Sequence, residues 1–310
     1  MNKKKNGSFI IWVICLFLLI SVIITFRLSN IYEDNKSLVL NKRKFAAEQE
    51  IYSYALYYIA EHKNNIQNSI YYNKVESLPY SGFKPKDILS DGIYIQYITI
   101  NDDKFNLDIR KETDDSKYSG YFNIISLPSV FEVKEKIIDN TIDQKYKKDV
   151  EDVINKIFSQ TELKYKDDVD SIIKVDGGDY KFVFDDDLKI FKDETLVEEI
   201  ENYDKIAIIS SNQISNIKFI TTGKINFSRL FIINNGDIYL DDISFNGCIF
   251  IKNGNIYANN ISGEGRIMID GNSYVMDGIG KVNDNNFKVK NKYLAMFDSI
   301  INLRIKNFKR

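Results

Sequence analysis

The chain has 310 residues, 42 Lys and Arg against 44 Asp and Glu, and a formal net charge of −2 with both signs interspersed, so no basic field marks it for nucleic acid. An apolar fraction of 44%, rich in Tyr and Phe, excludes a disordered chain. The single histidine, His62, leaves no Ser-His-Asp or Cys-His catalytic set of the usual kinds and no multi-histidine metal site.

Lys3-Lys4-Lys5-Asn6-Gly7 precedes the apolar run SFIIWVICLFLLISVIITF, Ser8 to Phe26. As a helix this run rises about 28 Å, close to the ~30 Å hydrocarbon core of a bilayer. Three lysines before it and only Arg27 directly after it predict a cytoplasmic N-terminus, with everything beyond residue 27 outside. A secretory signal peptide fits poorly, because the run is long and ends Ile24-Thr25-Phe26-Arg27-Leu28 without a small-residue cleavage site. Two readings remain: an uncleaved anchor, and a short basic leader removed between Gly7 and Ser8 at the cytoplasmic face.

No proline or glycine occurs between Ser8 and Leu78. The helix is therefore predicted to leave the membrane through Leu28, Ile31, Leu38, Phe45, Ile51, Ala55, Tyr58 and Ile59, whose spacings trace one apolar face. From Ser8 to His62 it would be about 82 Å long. From Asn64 to Pro85 the sequence turns polar, and Pro79, Gly82 and Pro85 mark the exit from the helix.

Basic residues, one glycine and an unbroken apolar helix resemble the leaders of type IV pilins and type II secretion pseudopilins. Within that family Phe45-Ala46-Ala47-Glu48-Gln49-Glu50-Ile51 resembles the AF-x-x-AEAGI stretch of PilX-like minor pilins and tip pseudopilins, although Gln49 and Glu50 stand where alanine and glycine are usual. After cleavage at Gly7 the fifth residue would be Trp12, where major pilins carry a glutamate. That glutamate resembles a charge partner for the amine of the subunit assembled before it, so its absence suits a tip or priming subunit. The resemblance covers residues 3 to 60. It implies prepilin peptidase, an inner-membrane assembly platform and other major and minor pilins as partners. It places Trp12, Phe45, Ala47, Glu48 and Ile51 on an assembly helix, in a protein anchored in the cytoplasmic membrane and then carried onto a pilus or the cell surface. The head would present a surface for adhesion to a host surface or glycan. Lysine outnumbers arginine 35 to 7 and Ile and Asn are frequent, as in the AT-rich genomes of clostridial-type Gram-positive bacteria.

In the head, Ile93–Ile100, Phe105–Ile109 and Tyr118–Leu127 read as three strands of an antiparallel meander, with a tight turn at Asn101-Asp102-Asp103. In a pilin such a sheet packs on the outer half of the long helix. Val150, Val153, Ile154 and Ile157 have helical spacing over Asp149 to Phe158. Tyr180–Phe184 and Leu188–Phe191 form a hairpin about Asp185-Asp186-Asp187, and Ile206–Ser210 is another strand.

LFIINNGDIYLDDISFNG, Leu230 to Gly247, is followed directly by CIFIKNGNIYANNISGEG, Cys248 to Gly265, with 8 of 18 positions identical. The period of 18 gives columns Ile220-Ile238-Ile256-Tyr274, Ile225-Ile243-Ile261-Ile279 and Ile233-Ile251-Ile269. Asn235-Gly236, Asn246-Gly247 and Asn253-Gly254 would also suit antiparallel hairpins. A meander has no reason to repeat a whole 18-residue pattern, whereas a parallel β-solenoid of three short strands per coil does, with the Ile columns, Phe227 and Phe245 inside. Leu294, Phe297, Ile301 and Ile305 share a helical face and would cap the last coil.

The expected fold is α+β: leader 1–7; long helix 8–62; α+β head 63–205; β-solenoid 206–281; C-terminal capping helix 282–310. Cys15 in the membrane run and Cys248 in the head cannot pair. The acid clusters Asp167-Asp168-Asp170 and Asp185-Asp186-Asp187 fit no calcium loop and read as solvated turns, so neither metal nor cofactor is expected. Asp241, Asp242 and Glu264 are carboxylates at coil corners, too few coils for the long cleft of a polysaccharide-cleaving β-helix. The expected function is a non-enzymatic minor pilin at the tip or in the initiation complex. The alternative is an uncleaved anchored surface protein whose solenoid binds carbohydrate or protein.

Overall fold

The computed structural model describes residues 5–74, 92–101, 104–113, 116–125, 127–160, 162–276, 282–301 and 303–309. Helix α1, Lys5–Glu61, runs unbroken for 57 residues, about 86 Å, as its lack of Pro and of any glycine after Gly7 allows. The backbone departs from helical values at His62 (φ −108°, ψ 21°), and α2, Lys63–Tyr72, continues to Asn73 in the left-handed conformation. Helix thus persists ten residues past the expected end at His62. Gln67 and Ser69 are polar side chains at core positions of α2, which is why this stretch reads as an exit. Leu78 to Pro85 and the leader residues 1–4 lie outside the described residues.

Strands β1 (Ile93–Asn101), β2 (Lys104–Thr113) and β3 (Ser116–Ile125) pair antiparallel in that order; Asp102-Asp103 is outside the described residues. Strict alternation would put Ile93, Ile95 and Thr99 on one face. A bulge between Ile95 and Tyr97 shifts the parity instead, so Ile93, Ile95 and Ile98 are buried and Thr99 is exposed. Ala47, Ile51, Ala55, Tyr58 and Ile59 form the buried stripe of α1, which packs on β2 and β3. A 3-10 turn at Ser129–Glu132 leads to β4 (Ile137–Ile138). Helix α3, Gln144–Phe158, follows; Asp143 caps it by accepting from the Lys145 amide, and it buries the expected Val150, Val153, Ile154 and Ile157.

The distal half then lays down β5 (Ser171–Val175), β6 (Gly178–Phe184), β7 (Leu188–Lys192), β8 (Thr195–Ile200), β9 (Lys205–Ser210), β10 (Ser215–Thr221), β11 (Ile225–Asn235), β12 (Ile238–Leu240), β13 (Ile243–Lys252), β14 (Ile256–Ala258), β15 (Ile261–Ile269), β16 (Ser273–Tyr274) and β17 (Phe287–Val289). One sheet runs β16-β14-β12-β10-β6-β7-β8 and the other β17-β15-β13-β11-β9-β5, with β4 alongside β15. Every pair is parallel except β6-β7 and β7-β8, the expected hairpin and its extension. This is a β-solenoid, with one long and one short strand per 18-residue coil rather than three. Parallel stacking begins at β5 and β6, about 35 residues before the expected boundary at 206, because the hairpin is an excursion within the first coil.

Offsets of 18 hold between Ile225, Ile243 and Ile261, between Phe227 and Phe245, between Ile238 and Ile256, and between Ile251 and Ile269. Two expected columns fail. A bulge after Phe227 sets Ile233 opposite Phe250, so Ile233 faces away from the solenoid interior, while Ile251 and Ile269 face into it. Ile217, not Ile220, aligns with Ile238, because the preceding coil is longer; Ile220 is exposed. Ile256 meets Ser273, Tyr257 meets Tyr274, and Ile279 lies outside the described residues. Strands stack so closely at Gly265 that a Cβ there would fall 1.8 Å from the Gly247 carbonyl oxygen.

Two cores result. One lies inside the solenoid; the other joins α1, α2, the proximal sheet and α3 to the outer face of β9, β11, β13 and β15. Those long strands are buried on both faces, which explains their unbroken apolar runs. Among the described residues the expected capping helix does not form: 3-10 turns at Asn291–Met296 and Asp298–Ile300 precede β18 (Arg304–Lys309), which pairs antiparallel with β3. Leu294, Phe297 and Ile301 are buried between α2, α3 and the solenoid rather than over its end.

Candidate functional site

The candidate assembly helix divides sharply along its length. From Ile11 to Ala46 every side chain except that of Val13 is exposed, among them Trp12 at 73% and Phe45 at 60%. Ala47 and Glu48, the next two residues, and Ile51 are buried against the head. The expected single apolar face does not carry through: Leu28, Ile31, Leu38 and Phe45 lie bare, whereas the buried stripe of Ala47, Ile51, Ala55, Tyr58 and Ile59 starts about 200° around the helix from Phe45. Ala47 and Ala55 are small enough to let the helix lie close to the sheet. Glu50 reaches out to pair with Lys111 of β2, and Tyr52 lies 6.2 Å from the Phe122 ring of β3. Gly7 and Ser8 fall within the first turns of α1. The helix is long and apolar enough to cross a membrane.

Two polar clusters that no local pattern reveals tie α2 to the rest of the head, and a third braces the head itself. Tyr71 donates to Asp168 Oδ2 at 2.5 Å, and Arg229 Nε donates to the same oxygen at 2.9 Å. Arg229 also stands 5.4 Å from the Tyr293 ring centroid, and Tyr71 stacks on Tyr165 at 4.5 Å. Burial, reinforced by the bond to Asp168, pushes the Tyr71 hydroxyl above its ordinary range, and burial does the same to Tyr165. Asp168 is therefore a mostly buried joint rather than a solvated turn residue. In the second cluster Gln67 donates to Ala295 O at 2.7 Å and to Asp298 at 2.6 Å, and Lys164 donates to Asp298 at 2.9 Å. Burial would raise the Asp298 carboxyl, but bonds from Lys164 and Gln67 hold it below its usual value.

The third cluster is centred on Arg266, a fully buried side chain that donates to Asn291, Phe131, Val133 and Glu135. The one sequence signal for it is a lone arginine in register with Cys248. Cys248 itself is buried, and burial pushes its thiol well above the usual range, which removes the reactive thiolate.

At the solenoid corners, polar residues form ladders along the axis. Asn259 donates to Asp241 at 2.8 Å and Asn260 to Asp242 at 2.6 Å, while Glu264 stands in register between Asn246 and Lys288. Tyr239, Tyr257 and Tyr274 stack outside the adjoining sheet at 4.7 and 5.4 Å. Among the described residues no three His, Cys, Asp or Glu side chains converge as a metal site. Comparisons with family models, with curated proteins and with solved structures find no match to this chain.

Proposed function

We propose that the chain is a non-enzymatic, membrane-anchored filament subunit resembling PilX-like minor pilins, which joins the tip or initiation complex of a type IV pilus or related secretion filament and carries its head outside. The observation that carries this reading is the bare 36-residue stretch of α1, Ile11 to Ala46, about 54 Å long. A plain anchor needs about 20 apolar residues. Here a further stretch bearing Leu28, Ile31, Leu38 and Phe45 lies beyond the span with nothing from its own head against it. Such a stripe gains stability by packing with equivalent helices, the contact that pilin-like assembly supplies. Other pilins, an assembly platform and prepilin peptidase are the partners of this reading.

The leader tests it. Prepilin peptidase acting after Gly7 removes seven residues, so intact mass and N-terminal sequencing of the protein from its native membrane should show a chain starting at Ser8, and Gly7→Leu should abolish this. A mature chain still beginning at Met1, or beginning beyond Phe26, overturns the filament reading in favour of an uncleaved surface protein or a secreted domain.

A further inference from the structure

Successive coils place polar side chains at one shared corner. Lys224 precedes Ile225, Asp242 precedes Ile243 and Asn260 precedes Ile261, and Asn283 forms a parallel bridge to Asn260. Asn260 donates to Asp242 at 2.6 Å and accepts from Asn283 at 3.1 Å. With Ser262 and Asn286, these four line a cleft of about 210 Å³, together with the buried Ile261. Among the described residues the side chains of Lys224, Ser262 and Asn286 make no hydrogen bond or ion pair within the protein.

We infer that this cleft binds one sugar unit of a neutral, hydroxyl-rich glycan. Its chemistry is mixed: an ammonium, a hydroxyl and amide N–H groups donate, while a carboxylate and amide oxygens accept, and sugar hydroxyls do both. One positive and one negative side chain cancel, so the cleft favours neither an anion nor a cation, and among the described residues no group of ligating side chains completes a metal site. The volume falls below the ~300 Å³ at which pockets begin to enclose drug-sized ligands, which suits a single ring with the rest of the chain in solvent. The ladder holds Asp242, Asn260 and Asn283 in place before any ligand arrives, so little ordering entropy opposes binding. This inference rests on the reading that the head faces outward, where glycans are met.

The test uses the whole protein in lipid nanodiscs on an array of neutral and sialylated oligosaccharides, with inorganic phosphate as competitor. Retention on neutral glycans is expected, and Lys224→Gln and Asp242→Asn should each weaken it about tenfold, the cost of one charge-assisted hydrogen bond. Asp242→Asn keeps the oxygen that accepts from Asn260, and Asn tolerates the left-handed φ of 47° at this position, so thermal unfolding should not move. Asp187→Asn, far along the chain on the β6–β7 turn, should change nothing. No retained neutral glycan overturns the inference. So does binding confined to sialylated glycans and displaced by phosphate, or binding that the two cleft variants leave intact. The array result does not depend on leader processing, so a failure here and a failure of the filament reading are told apart.

Discussion

Replacing Arg266 with methionine should loosen a defined part of the molecule. Arg266 Nε donates to Asn291 Oδ1 at 2.7 Å, its Nη2 donates to the carbonyls of Phe131 and Val133 at 2.7 and 2.8 Å, and its Nη1 donates to that of Glu135. Methionine keeps the apolar stem and removes these four bonds. At about 1 kcal/mol net for each, with the acceptors left buried, Arg266→Met costs about 4 kcal/mol, a large share of a typical domain's stability. Arg266→Lys keeps the charge and three donors without the planar fork, and should recover about half. Urea unfolding reads the total. Hydrogen exchange reads the place: protection should fall first over residues 129–138 and around Asn291, before the coils from Ile225 to Ile269. A loss below about 1 kcal/mol, or exchange that accelerates evenly across the chain, would refute the clamp.

Two further outcomes follow from the cores. Ile243→Asp puts an unpaired carboxylate inside the solenoid beside Ile225 and Ile261 at a cost of several kcal/mol, so limited proteolysis should spread through the distal half; unchanged resistance would show the position is not interior. At alkaline pH the buried tyrosines matter: burial and the Asp168 bond raise Tyr71, burial raises Tyr165, and burial, against the opposing charge of Arg229, pushes Tyr293 up to about 12. Unfolded tyrosine ionises near pH ~10, so this stabilisation is full below that pH and is lost as pH rises towards the folded values, by about 1.4 kcal/mol per pH unit for each such group. Urea midpoints taken across that window should fall, and fall less steeply in Tyr71→Phe; a flat profile removes the tyrosines from the account.

Elements whose cause is local were legible. The unbroken helix follows from the lack of breakers, α3 from its four spaced apolar residues, and the solenoid from an 18-residue repeat whose interior isoleucines stack on one another. Where a single residue count matters, local pattern does not decide the outcome. The bulges after Ile95 and Phe227 each reverse which side chains face inward, and composition is blind to that. The C-terminal residues read as an amphipathic helix because spacings of three and four also suit 3-10 turns wedged between larger elements.

Within the candidate site, the apolar character of α1 was written in the sequence, but which face is buried and where the helix passes from bare to packed was decided by the head. Ala47 and Phe45 lie two residues apart and about 200° around the helix, so the sheet that covers Ala47 leaves Phe45 bare. The joints at Asp168, Asp298 and Arg266 are likewise tertiary. Their partners lie 25 to 231 residues away along the chain, and a charged side chain is stable in such a place only when donors and acceptors from several elements arrive together. Periodicity along one chain reports which face an element will bury, whereas contacts between elements set register, polar pairing and the point at which the long helix runs free, because those depend on what the rest of the chain brings alongside.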